Sequence, residues 1–273
     1  MPESYASSSP GHIAVVIALK DIVRAKTRMD ELTPALRQRL TITMLMDTVQ
    51  AWLGVTDTVI VVSGSPLVGT QLRAAGLTVT LLPDPGLDLN TAFTAGADHA
   101  TEHGAGRIIA SVADLPALTA DTAADIVAAA GDRPRWMVPD HAGEGTTMLG
   151  VSNAPLDPAF EHGSAERHRA SGADVIDAPA SARCDVDDLR LLADAHELGL
   201  GPHTTRLMYD GELLLDERAF TVTNAAEGDD LTVVDDAGRL LRLPRTCRPG
   251  PRLAAGQRLH GVVQDGVVHS AWW

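Results

Sequence analysis

The sequence predicts an α/β protein: a mostly parallel twisted sheet with helices on both faces, followed by a small C-terminal all-β barrel. Three observations carry this expectation. From residue 13 onward, short continuous apolar runs alternate with helix-like segments, the pattern of strands covered on both sides. After residue 206 helix signals fade, and short apolar runs separated by turn residues take over. The 273 residues and 45% hydrophobic content are enough for one large core and a second, smaller one.

The elements follow in order. Residues 1–11, with Ser7 to Ser9 and Pro10, read as a disordered leader. Ile13–Leu19 is a buried strand by its unbroken apolar character. Thr33 and Pro34 are N-cap and first position of a helix whose apolar face is Leu36, Leu40, Leu45 and Val49. Val59–Val62 is a second strand, and Leu67–Ala75 a short helix stopped by Gly76. Leu77–Leu82 is a third strand, closed by Pro83-Asp84-Pro85-Gly86. A helix follows from about Thr91 to His103, then a strand over Arg107–Val112 and a helix starting near Thr119. Asp187–Leu198 is helical and Gly199–Thr205 a loop.

This places the domain boundary at 206/207. Residues 207–273 carry strand-like runs at Glu212–Leu215, Phe220–Thr223, Leu231–Val234, Leu240–Leu243, Leu259–Val263 and Val267–Ala271. Asp265-Gly266 between two of them is a hairpin signal. The barrel's surface is assigned to interdomain packing or to contact between copies in a homo-oligomer.

Composition excludes several classes. A net charge of −14 and 3% aromatic content oppose a general nucleic-acid surface, but leave room for a small basic pocket. The first apolar run is too short to cross a bilayer and lacks signal-peptide flanks. Cys184 and Cys247 have no metal-type spacing and read as reduced and structural. A cytoplasmic protein is expected.

In open α/β sheets ligands bind beyond the carboxyl ends of the strands, so the segments after Leu19, Leu82 and Val112 come first. Of the 22 basic residues only Lys20 and Lys26 are lysines, and both fall after the first strand, with Arg24 and Arg28. Such a cluster can clamp a polyphosphate, although no glycine-rich phosphate loop is present. Asp114, in Ala113-Asp114-Leu115-Pro116, stands just past a buried strand and too early to cap the next helix. It is a candidate Mg²⁺ ligand, since Mg²⁺ is held by one or two carboxylates plus substrate phosphates. In Arg183-Cys184-Asp185-Val186-Asp187-Asp188, alternation puts Asp185 and Asp187 on one face. Asp185 is the second metal candidate, and Asp187 or Asp188 the helix N-cap. The glycine- and hydroxyl-bearing segments 140–147 and 160–168 suit an anion, or are ordinary turns and caps. His141, His162 and His168 show no zinc spacing.

Taken in order, the segments IALKDIVRAKTRM, LNTAFTAG, ADLPAL, GEGTTML, GSAERHRASGA and RCDVDDL make residues 12–206 resemble the 2-phospho-L-lactate/phosphoenolpyruvate guanylyltransferase family of coenzyme F-420 biosynthesis. These are nucleotidyltransferases with a nucleotide-diphospho-sugar/MobA-like transferase fold. The resemblance implies Mg²⁺ on Asp114 and Asp185, with the triphosphate on Lys20, Lys26 and Arg28 and the nucleotide near Asn90. It also implies that Thr146, Glu161 and Ser164 hold the acceptor. Lys20, Lys26, Asp114 and Asp185 would form the catalytic set. The implied reaction moves GMP from GTP to phosphoenolpyruvate, 2-phospho-L-lactate or 3-phospho-D-glycerate and releases pyrophosphate.

Two positions depart from the family pattern. Phe160-Glu161-His162 stands where the family has Phe-Gly-Pro, and Asp188-Leu189 where it has Thr-Pro. The barrel has no counterpart in a minimal family enzyme. Rival readings are a related transferase using another nucleotide or acceptor, and a nucleotide-binding module with an interaction barrel.

Overall fold

The computed structural model describes residues 12–19, 26, 28–29, 32–86, 88–209, 216–223, 230–249, 253–264 and 267–272. Lys20, the leader, the run Glu212–Leu215 and the Asp265-Gly266 turn lie outside the described residues.

The first unit is an α/β layer structure. In chain order it contains β1 (Ile13–Leu19), α1 (Pro34–Leu53), β2 (Val59–Ser63), α2 (Pro66–Ala74), β3 (Thr80–Leu82), α3 (Leu89–Glu102) and β4 (Arg107–Ser111). It continues with α4 (Ala120–Ala130), β5 (Arg135–Pro139), β6 (Thr146–Ser152), α5 (Ser164–Ala170), β7 (Asp174–Val175), α6 (Leu189–Leu198) and α7 (Pro202–Tyr209). The strands form one seven-stranded sheet in the order β3-β2-β1-β4-β6-β5-β7. β6 runs antiparallel to both neighbours, and the other pairings are parallel.

β1 shows why its sequence is unbroken. Val15, Ile17 and Leu19 face a core with Leu45, Val49, Val68 and Ile126, from α1, α2 and α4. Ala14, Val16 and Ala18 face Phe93, Ala97 and Ala165, from α3 and α5. Successive strand residues point to opposite faces, so a strand with helices on both sides needs apolar residues at every position. Thr33 caps α1 through the Leu36 N–H, and Thr119 caps α4 through the Thr122 N–H.

The reversed β6 carries a tight approach. A side chain at Gly150 would put its Cβ 2.1 Å from the Trp136 ring, which is itself 1% exposed on the neighbouring β5. Gly150→Ala is expected to destabilise the protein by about 3 kcal/mol, because a rigid ring in a filled core cannot move aside. Thermal unfolding checks this: an unchanged Tm would show that the ring has room.

The third strand is shorter than its apolar run. Pairing covers only Thr80–Leu82, while Leu77 turns into the core beside α2. The segment Gly199–Thr205, expected as a loop, runs into α7, so position 206 falls inside a helix. α7 packs on α1 and takes its cap from there. The Asp47 carboxylate accepts the N–H groups of His203 and Thr204, each at 2.9 Å.

The second unit is a closed five-stranded barrel of β8 (Asp216–Val222), β9 (Asp230–Asp235), β10 (Leu240–Pro244), β11 (Arg258–Gln264) and β12 (Val267–Trp272), in the order β10-β12-β11-β8-β9. Its core holds Phe220, Val233, Leu243 and Leu259. β11 and β12 lie against α6. Among the described residues no helix is long and apolar enough to cross a membrane.

Candidate active site

A cleft of about 830 Å³ opens at the end of the sheet where β1 and β4 finish. β6 is antiparallel, so its first residue, Thr146, reaches the same edge. Lys26, Arg28, Asp114, Asp185 and Asp187 line one part of the cleft, and Thr146, Glu161 and Ser164 another. The structure thus brings together every described site residue expected from the sequence except Asn90. The Asn90 side-chain oxygen instead accepts the Phe160 N–H at 2.7 Å, tying α3 to the turn that leads to Ser164.

Asp114 is fixed through its backbone. Its carbonyl accepts the Val186 N–H at 3.0 Å, which binds it to the strip carrying Asp185 and Asp187. The buried Thr48 hydroxyl, from α1, accepts the Leu115 N–H at 3.1 Å and lies 3.3 Å from the Ala113 carbonyl. The peptide that follows Asp114 is therefore held by a side chain of α1, whose own proton has the Met44 carbonyl at 3.0 Å as its shorter acceptor. Thr147 on β6 donates to the Ala182 carbonyl at 2.8 Å, steadying the start of the second acidic strip.

Lys26 adopts a left-handed backbone with φ of 56°. Its ammonium bonds to Asp114 and, at 2.8 Å, to Asp187. Burial alone would lower the Lys26 pKa, but the two carboxylates raise it above that of a free lysine. Burial likewise opposes the Asp187 charge, yet Lys26, and then Arg28, hold its carboxyl below the usual range. Arg28 is exposed, 3.7 Å from Asp187. Asp188 caps α6 through the Leu191 N–H, which leaves Asp187 free for the cleft.

Asp185 differs from its neighbours. Its Oδ1 is buried and accepts no hydrogen bond, and the nearest cationic candidate, His141 Nδ1, is 3.7 Å away. Burial, followed by the charges of Asp114, Asp187 and Asp140, pushes its pKa up to about 7. An unpaired buried carboxylate oxygen beside three other carboxylates calls for a cation. Among the described residues no set of three His, Cys, Asp or Glu side chains converges as a metal cage. Two carboxylates completed by substrate phosphates are nevertheless what Mg²⁺ sites commonly use, so the donor set fits.

At the other wall, Glu161 has φ of 85°, a backbone region that favours glycine. The departure from Phe-Gly-Pro thus keeps the glycine-like turn and adds an exposed carboxylate at the cleft. The Glu161 carbonyl accepts the Ser164 N–H at 3.0 Å, closing the turn into α5. Glu161→Gly is expected to relieve about 1 kcal/mol of backbone strain and, by removing a negative charge, to lower the KM for an anionic acceptor severalfold. Melting and acceptor titration check both effects; a higher KM would show that the carboxylate takes part in binding.

Sequence reasoning missed Thr48, Asp47 and His168. The first two are polar residues within an apolar helix, and that interruption was their only signal. Cys184 is buried and its thiol is pushed up to about 12 by burial, so it is inert beside the site.

The MobA-like NTP transferase domain profile matches residues 27–182. A curated phosphoenolpyruvate guanylyltransferase of Mycobacterium sp. (strain KMS) is 39% identical over 206 residues, covering 74% of this chain and 94% of its own. The protein of that name from Nocardia farcinica is 38% identical over 211 residues, covering 74% and 92%. Among solved structures, a nucleotide-diphospho-sugar transferase-type protein from Desulfovibrio desulfuricans G20 aligns with a TM-score of 0.57 at 16% identity. That match covers 74% of this chain and 96% of the other, a likeness of fold alone.

Proposed function

The chain belongs to the phosphoenolpyruvate guanylyltransferase family of MobA-like NTP transferases, and from that premise we propose that it moves GMP from GTP onto a phosphorylated three-carbon acid with Mg²⁺ as cofactor. Phosphoenolpyruvate is the first candidate acceptor, with 2-phospho-L-lactate and 3-phospho-D-glycerate as the others. The product would feed coenzyme F-420 biosynthesis. The observation that carries the reading is the buried Asp185 Oδ1, which accepts no hydrogen bond, on a residue that lines the same cleft as Asp114, Lys26, Thr146 and Ser164.

Asp114 and Asp185 would hold the metal, which when bound neutralises phosphate charge. Lys26 stays charged between Asp114 and Asp187 and, with Arg28, faces the triphosphate; Lys20 is assigned there by resemblance. Thr146 and Ser164 orient the acceptor, and Asn90 holds the turn between them. A phosphate oxygen of the acceptor attacks the α-phosphorus of GTP, and the bond from that phosphorus to the β-bridging oxygen breaks. Pyrophosphate leaves with the bonding pair. An acceptor phosphate is already ionised near neutral pH, so the residues need to position and to neutralise charge rather than remove a proton.

The test is incubation of the protein with GTP, Mg²⁺ and each of the three acids, reading pyrophosphate and product mass. Turnover with at least one acid supports the reading, and no turnover in a folded sample removes it. Ranking GTP, CTP and ATP by thermal shift tests the nucleotide separately.

A further inference from the structure

His168 is fully buried on α5 and makes two hydrogen bonds. The Ala159 N–H donates to its Nε2 at 2.9 Å, and its Nδ1 lies 2.9 Å from the Thr146 hydroxyl oxygen. A backbone N–H can only donate, so Nε2 must carry the lone pair. In a neutral imidazole the proton then sits on Nδ1, and Nδ1–H donates to Thr146. Burial, aided by Arg135 and Arg167, lowers the ring's pKa to about 4, which keeps it neutral near physiological pH.

The direction of that bond sets what Thr146 can do. A hydroxyl has one proton to give. If the ring nitrogen accepted, Thr146 would spend its proton inward and present only lone pairs to the cleft, which would repel an anion. With Nδ1–H donating, the Thr146 proton is left for another acceptor. Its other hydrogen-bond partner among the described residues is the Met137 sulfur at 3.8 Å, a weak one. Thr146 lines the cleft, whereas His168 does not. The ring also accepts from Ala159, directly before Phe160 and the Glu161–Ser164 turn, so one side chain ties Thr146 to the segment that leads into that turn.

We infer that His168 is a positioning residue that, through its Nδ1–H tautomer, makes the Thr146 hydroxyl a donor aimed at an anionic oxygen of the acceptor. The inference rests on the proposed function for the identity of that acceptor, but the tautomer and the hydroxyl's polarity do not depend on it.

Two substitutions separate the ring's two bonds. His168→Asn keeps an N–H near the Nδ1 position and loses the Nε2 acceptor. His168→Gln keeps an acceptor oxygen near Nε2 and loses the donor to Thr146. With phosphoenolpyruvate and GTP, His168→Gln is expected to raise the acceptor KM about tenfold, with kcat and the GTP KM within about twofold. His168→Asn should stay within about threefold of wild type even where its Tm falls as far. Thr146→Val should match the KM rise of His168→Gln, and the double variant should add nothing further. Equal KM rises in the Asn and Gln variants, or losses that follow Tm alone, overturn the inference. Nitrogen NMR of the wild-type ring gives a readout independent of turnover: a protonated Nδ1 and bare Nε2 support it, and the reverse overturns it. Should no acid turn over, the functional proposal fails while the NMR result still decides the tautomer.

Discussion

Asp114→Asn is expected to lower kcat for pyrophosphate release by about a thousandfold or more and to leave the fold intact. The large loss follows from what the carboxylate does. It is one of two candidate metal ligands and a counterion of Lys26, so the amide removes charge where the triphosphate's own charge must be balanced. The small structural effect follows from how position 114 is held. Its carbonyl bond to the Val186 N–H and the flanking contacts to Thr48 involve no carboxylate oxygen. Lys26 keeps Asp187 at 2.8 Å, so its ammonium loses one counterion of two and is not stranded. Initial rates at saturating GTP and Mg²⁺, with a melting curve on the same sample, check the pair of expectations. A variant retaining more than a tenth of wild-type kcat would remove Asp114 from the chemistry.

What could be read from the sequence divides along physical lines. Signals generated within a few residues were legible: the unbroken apolar runs of β1, β2 and β4, and the caps Thr33 and Thr119. Asp114 was legible for the same reason, because a lone carboxylate just past a buried strand has no local structural task. Features satisfied by distant partners were not. α7 looks like a loop because its N–H groups are capped by Asp47, more than 150 residues earlier in the chain. Asp185 and Asp187 look equivalent by alternation, and only folding gives Asp187 to Lys26 and leaves the Asp185 Oδ1 without a hydrogen bond. His168 shows no zinc spacing, and nothing near it in sequence gives it a task. Its actual role depends on a backbone N–H and a hydroxyl brought to its two nitrogens from a loop and from β6. Glu161 shows the reverse case, where local chemistry misleads: a charged residue stands in a turn whose φ is that of glycine.

Asp185→Asn should separate stability from function in opposite directions. In the metal-free protein at pH 8, the wild-type carboxylate is ionised, buried and unpaired at Oδ1, with Asp114, Asp187 and Asp140 around it. Its folded pKa of about 7 lies above the ordinary 3.8, so the folded state binds this proton more tightly than the unfolded state. Stability from this group therefore falls as pH rises from about 4 to about 7, and the full cost remains above that. A neutral amide of the same shape avoids that cost. After allowance for screening at the open side of the cleft, the gain at pH 8 is about 2 kcal/mol, or roughly 5 °C in Tm. The gain should shrink as pH falls through this window and approach zero only below about pH 3, where the wild-type acid is protonated in both states. Mg²⁺ should raise the Tm of the wild type, because a ligand of the native state stabilises it, and should leave the variant's Tm unchanged. Activity of the variant should drop at least about a hundredfold. Melting curves at pH 5 and pH 8, with and without Mg²⁺, carry the test. A variant that melts lower than wild type at pH 8 without metal would mean that Asp185 is stabilised by its surroundings. A variant still shifted upward by Mg²⁺ would place the metal on other groups. The expected pattern marks a carboxylate kept at the expense of stability because the cleft must receive a cation.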